Sequence, residues 1–219
     1  LSKQISQNEK NKALYTQNRA IEFCLLLAIP ASVAIFIIAE PIIGSFFERG
    51  EFSATDKVLS AKALQAFAIG VPAYVLVKIL TPIFFARQNT VTPVKIAIFC
   101  VFINFLFNII LMQFYQHVGI AIATAISSWV NCILLFYILL ESNEIVFDKM
   151  LKEKFKKTII VNIIFAILVF YFKDFINIFS NYKFLNLSIF VLISISFYVL
   201  LLSFFKIFIF SNFQLFKLR

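Results

Sequence analysis

The sequence predicts an all-α polytopic membrane protein with about six transmembrane helices. Three observations lead there. The 219 residues are 62% apolar and only 14% charged, with mean hydropathy +0.94, whereas soluble domains are near half apolar and a quarter charged. Several apolar runs of about 20 residues follow one another, each long enough to cross a hydrocarbon core of roughly 30 Å. The runs are continuously apolar rather than alternating, which disfavours a membrane barrel.

Taken in order, residues 1–20 are polar and form a solvated or interfacial lead-in. The first span is expected over 21–47, with Glu22 at its start, Pro30 inside it and Glu40-Pro41 near its far end. Proline removes a helix hydrogen bond and bends the helix. The polar loop 48–57 follows, with Gly50 placed for a turn and Ser53 or Thr55 placed to cap the next helix, Asp56 lying in or near its first turn. The second span covers about 58–86. Its first half is rich in small residues (Ala61, Ala63, Ala66, Ala68, Gly70), which let membrane helices approach closely. Pro72 and Pro82 bend its second half. After a short polar turn, the third span runs over 94–114 and the fourth over 119–140, joined by a connection at 115–118. The charged stretch 141–157 leads to two Phe-, Ile- and Leu-rich spans, over 158–172 and 187–210.

The net charge of +9 would suggest nucleic acid in a soluble chain. Here most cations flank apolar runs, so they read as topology and contact with anionic headgroups. Lys3, Lys10, Lys12, Arg19, Arg87, Lys95, the five lysines of 149–157, Lys206, Lys217 and Arg219 fall on one side. The intervening loops are poorer in Lys and Arg. Both ends of the segment are therefore expected in the cytoplasm, with 48–57 outside. Cys24, Cys100 and Cys132 are far apart and inside apolar runs, so they read as packing residues rather than as a disulfide or metal set. The chain starts on Leu1, without a signal-peptide pattern, and is expected to be the C-terminal part of a longer protein.

No catalytic constellation stands out. His117 is the single histidine, and there is no nucleophile paired with a base, no phosphate-cradling glycine loop and no metal spacing. An enzyme is not expected. Lys78 is the sharpest residue. It lies about 13 Å along the helix from Arg87 at 1.5 Å per residue. Either it snorkels to the interface or it faces a water-filled cavity and attracts an anion. Asn104 and Asn108 share one helix face, and Thr124, Ser128 and Asn131 share a face of the next span. These stripes either join the helices by hydrogen bonds or line a small oxygen site for a coupling cation such as sodium. The last two spans face lipid or form a groove for a long isoprenoid tail.

Three stretches carry a family resemblance: EPIIGSFFERGEFSATD, ALQAFAIGVPAYVLVKILTPIFFARQNTVTPVKIA and HVGIAIATAISSWVNCILL. Together they resemble the C-terminal portion of the MurJ/MviN lipid II flippases, within the superfamily of multidrug, oligosaccharidyl-lipid and polysaccharide exporters. The resemblance is strong over 1–140 and rests on position and character beyond that. It implies a fourteen-helix, V-shaped transporter of which this chain holds the second lobe and the two extra C-terminal helices. The segment then divides into a lead-in at 1–20, a four-helix part at 21–140, a charged linker at 141–157 and a helix pair at 158–219 that forms the lipid-tail groove. The implied activity is translocation of the undecaprenyl-pyrophosphate-linked peptidoglycan precursor across the bacterial inner membrane by alternating access. The implied drive is membrane potential or a sodium gradient, with no other cofactor, and the implied unit is a monomer. Lys78 matches the family's lysine in VLVK, and Arg87 the arginine of its ARQ turn, both expected at the substrate cavity or its rim. Asn104, Asn108 and Thr124 are the candidate ion or interhelical site. The alternatives are an exporter of another lipid-linked glycan or a drug, and a non-transporting scaffold for cell-wall synthesis.

Overall fold

A computed structural model describes residues 9–48, 50–177 and 183–207. Among these the regular structure is helical: α1 (Lys10–Ile37), α2 (Ala39–Phe47), α3 (Ala54–Ala86), α4 (Val91–Tyr115), α5 (His117–Glu141), α6 (Lys149–Phe172), a short 3-10 turn (Lys173–Asn177) and α7 (Lys183–Phe204). Six helices, all but α2, are long and apolar enough to cross a membrane, as the continuous apolar runs predict. Lys3, Arg49, Asn181, Lys217 and Arg219, which belong to the flanking polar stretches, lie outside the described residues.

The spans are longer than their apolar runs. The polar residues from Lys10 to Arg19 belong to the same helix as the apolar run after them, because nothing in that stretch breaks a helix. The expected first span is divided at Ile38 into α1 and α2. Pro41 explains the break: its ring crowds the carbonyl four residues back, at Ile37. The α3 helix begins at a capping box. Ser53 Oγ accepts from the Asp56 N–H at 3.2 Å, and Asp56 accepts from the Ser53 N–H at 3.0 Å. Of the charged stretch 141–157, only 142–148 lies outside helices. Asp148 caps α6 by accepting from the Leu151 N–H at 2.6 Å.

Prolines inside lipid-embedded helices free a carbonyl four residues upstream, and a neighbour must satisfy it. Two such repairs are visible. Pro30 frees Leu26 O, which accepts from the buried Tyr198 hydroxyl of α7 at 2.9 Å. Pro72 frees Ala68 O, which accepts from Ser32 Oγ of α1 at 2.6 Å. The next carbonyl, Ile69 O, accepts from Trp129 Nε1 of α5 at 3.0 Å.

Small residues set the central seam. Ala66, Ala68, Gly70 and Ala73 of α3 are buried, as are Ala121, Ala123 and Ala125 of α5. A Cβ built on Gly70 would lie 3.2 Å from Ala125 Cα, so the two backbones meet almost directly. The α4–α5 corner is tighter. It turns on Gln116 alone, at φ 51° and ψ −133°, a backbone region that glycine adopts far more readily than glutamine. A Cβ on Gly119 would fall 2.4 Å from Leu111 O. One apolar cluster joins α1, α3, α4 and α5 through Ile21, Leu80, Phe84, Cys100 and Leu135. A second joins α1, α6 and α7 through Leu26, Val161, Phe165, Tyr198 and Leu202.

Ion pairs collect at the two ends of the bundle. At one end Arg19 pairs with Glu22 and with both Asp148 oxygens (2.7 and 2.9 Å), and Lys154 reaches Glu22 at 2.5 Å. At the other, Glu48 meets Lys183 at 3.1 Å and Lys57 at 3.3 Å. The Lys183 ammonium first, then that of Lys57, holds the Glu48 carboxyl below its ordinary range. A lowered carboxylate adds stability above its unfolded value and loses it as pH falls through the folded value. The pair is near the surface, so the effect is small. We expect Glu48→Gln to lower the melting midpoint by about 1–2 °C at neutral pH. That difference should vanish below the carboxylate range; one that persisted there would mean the carboxylate's charge is not the cause.

Candidate functional site

Lys78 and Arg87, both on or just beyond α3, have opposite surroundings. Lys78 is exposed, shares its face with exposed Pro82 and Phe85, and lies opposite the buried Leu76 and Leu80. Among the described residues its ammonium has no ion-pair or hydrogen-bond partner. It sits between Pro72 and Pro82, in the half of the helix where missing backbone bonds leave soft points. A free cation there attracts anions, and a low-dielectric surround strengthens its field. Arg87, by contrast, is engaged. Its Nε lies 3.4 Å from Glu144 Oε1, and its terminal nitrogens donate to Glu144 O at 3.1 Å and Ile83 O at 3.2 Å. It ties the end of α3 to the 142–148 connection.

The polar residues of α4 and α5 do meet. Asn108 Nδ2 donates to Asn104 Oδ1 at 2.9 Å. Asn104 Nδ2 donates to Ser127 Oγ at 3.3 Å and to Thr124 Oγ1 at 3.4 Å. Ser127 is the member that sequence reasoning missed, although its spacing of three from Thr124 puts it on the same face. Ser128 instead donates back to Thr124 O at 2.8 Å within its own helix, and Asn131 is half-buried outside these bonds. Asn108 Oδ1 is buried without a donor. An orphaned carbonyl oxygen beside other neutral oxygens accepts from a water or a small cation, and without a carboxylate it would hold a cation weakly. No cluster of three or more His, Cys, Asp or Glu with metal-binding geometry occurs among the described residues.

On α6, Ile164, Ile167, Leu168, Tyr171 and Phe172 line a shallow, open apolar depression along one helix face. Its walls present almost no polar surface, so it fits a hydrocarbon chain. The charge network Arg19–Glu22–Lys154–Asp148 was legible in sequence only as a set of flanking charges. Its pairing joins residues more than 120 positions apart, which no local spacing reveals.

Comparison with known proteins agrees with this geometry. The profile of the family described as "Lipid II flippase MurJ" matches residues 1–190. A "Probable lipid II flippase MurJ" of Rickettsia prowazekii (strain Madrid E) is 44% identical over 136 residues, covering 62% of this chain and 27% of that protein. Its counterpart from Rhizobium tropici is 35% identical over 148 residues, covering 68% of this chain and 28% of that protein. The chain thus spans little more than a quarter of the length of the curated relatives it matches. A solved structure titled "Lipid II flippase MurJ, inward closed conformation" superposes with TM-score 0.74 at 26% identity, covering 99% of this chain and 42% of the other. A profile match across most of the residues, two relatives above 30% identity and a shared helical fold agree: the chain is a multi-pass membrane protein that belongs to the MurJ lipid II flippase family.

Proposed function

We propose that this chain is the C-terminal part of a transporter that moves lipid II, a pyrophosphate-linked precursor on an isoprenoid tail, from the inner to the outer leaflet by alternating access. It is a carrier and not a catalyst. It supplies the second lobe and the last two helices of a fourteen-helix protein in the bacterial inner membrane, with both ends of the segment in the cytoplasm. The observation that carries this reading is Lys78: an exposed cation without a partner among the described residues, between the two prolines of a membrane helix. A free ammonium there binds a pyrophosphate where a paired one would not. Arg87 contributes at the rim, where it holds the end of α3 in place. The α6 groove supports the tail. The Asn104–Asn108–Thr124 cluster is the place where a coupling sodium ion would act. The orphaned Asn108 Oδ1 supports that role, and membrane potential is the alternative drive.

The test is Lys78→Ala in the full-length protein, followed by outer-leaflet labelling of lipid II with a membrane-impermeant probe. A charge-assisted contact is worth roughly 1.5–3 kcal/mol, so we expect labelling to fall about 10- to 100-fold. Insertion should be unchanged, Lys78→Arg should retain part of the activity, and headgroup binding should weaken with salt. Normal flipping by the alanine variant would mean that Lys78 only snorkels.

A further inference from the structure

The two proline repairs are linked in series. Tyr198 of α7 donates to the carbonyl that Pro30 frees in α1, at 2.9 Å. Two residues beyond Pro30, Ser32 donates to the carbonyl that Pro72 frees in α3, at 2.6 Å. Six residues beyond Pro72 stands Lys78. A proline bend is a soft point, because the backbone bond that would stiffen it is missing. Here each bend is held by a hydroxyl from the neighbouring helix instead of by its own backbone. Tyr198 is well placed to act as a fixed anchor. It is 7% exposed, and its ring packs edge-on against Phe165 of α6 at 5.2 Å between centroids.

We propose that Tyr198 and Ser32 are positioning residues that form a relay from the C-terminal helix pair through the α1 bend to the α3 bend, and so set the position of Lys78. If α7 shifts, the Leu26 carbonyl loses its donor and the α1 bend relaxes. Ser32 then moves relative to Ala68, and the half of α3 that carries Lys78 changes its angle. The relay couples the groove-bearing helices to the free cation without any contact between them. It is a claim about backbone geometry and holds whatever Lys78 binds.

The test uses the proline as the logical partner of the hydroxyl. In full-length protein in vesicles, with Cys24, Cys100 and Cys132 replaced by alanine, Lys78→Cys is labelled with a water-soluble thiol reagent. Tyr198→Phe is then compared in two backgrounds, with Pro30 present and with Pro30→Ala. Alanine restores an N–H for Leu26 O, so the hydroxyl becomes redundant. We expect Tyr198→Phe to change the labelling rate about fivefold with Pro30 present, the equilibrium shift of one neutral hydrogen bond, and not at all in the Pro30→Ala background. No change beside Pro30, or the same change in both backgrounds, overturns the relay. Ser32→Ala with and without Pro72→Ala gives the same comparison one step downstream, and decides the matter if a Tyr198 variant fails to fold. Retained lipid II flipping by the Lys78→Cys protein, with the labelling pattern as expected, would count against the function of Lys78 and leave the relay standing.

Discussion

Gly119→Ala is expected to lower the melting midpoint by roughly 10 °C, the shift that corresponds to about 3 kcal/mol in a chain of this size. Its Cβ would sit 2.4 Å from Leu111 O, 2.5 Å from Leu111 C and 2.9 Å from Met112 N. All three are backbone atoms, so no side chain can rotate away. Relief requires α4 and α5 to part at their corner, which loosens the bonds from Asn104 to Thr124 and Ser127 farther along the same pair. Gln116→Gly should act in the opposite sense. Gln116 occupies φ 51°, ψ −133°, and removing its Cβ should stabilise the corner by about 1 kcal/mol. Thermal unfolding in detergent checks both. A neutral Gly119→Ala would mean that Leu111 O lies farther from Gly119 than the 2.4 Å approach implies. A destabilising Gln116→Gly would mean that its side chain contributes more than its backbone costs.

Arg19→Ala is expected to cost about 2–3 kcal/mol, less than the roughly 3–5 kcal/mol typical when a fully buried pair loses one partner. The discount follows from exposure: the side chains of Arg19, Glu22, Lys154 and Asp148 are 17, 14, 21 and 34% exposed. Removing the guanidinium leaves Glu22 to Lys154 alone and Asp148 to its helix-capping role. The same end of the bundle contains its own control. Lys12 and Glu9 also pair at 2.7 Å, but at 69% and 36% exposure, so Lys12→Ala should change stability negligibly. If the two substitutions cost the same, burial is not what gives the Arg19 network its value. Cleavage by a protease in the 142–148 connection should rise with Arg19→Ala, because Asn18 Nδ2 and Arg19 hold Val146 and Asp148 against α1.

The spans were legible because membrane crossing is a one-dimensional constraint of length and polarity. The Ser53 cap and the small-residue seam were legible because their signals are local. The Asn104 and Asn108 stripe was placed on the correct face by periodicity, but the choice of Ser127 over Ser128 depends on how α4 and α5 rotate against each other. Arg87 illustrates the limit most clearly. Its partner Glu144 is 57 residues away, so sequence reasoning saw an unattached cation at a turn where the structure has a strut. The proline carbonyl repairs were invisible for the same reason. The prolines announce that a carbonyl is freed, and only the packed helices show which hydroxyl answers it.

The two clusters of ion pairs also act together as a caliper. Lys57, in one cluster, and Arg87, whose partner Glu144 lies in the same 142–148 connection as Asp148 of the other, stand at the two ends of α3, separated by about 45 Å at 1.5 Å per residue. That is the span of a bilayer from headgroup to headgroup, about 40–45 Å. Each cluster also holds other helices at its own level: α1 and α6 at one end, α2 and α7 at the other. The bundle therefore cannot adapt to a thinner membrane by sliding one helix against its neighbours. It must tilt as a unit or thin the lipid around it. Bilayer thickness is in this way an input to the angle at which the lobe stands in the membrane.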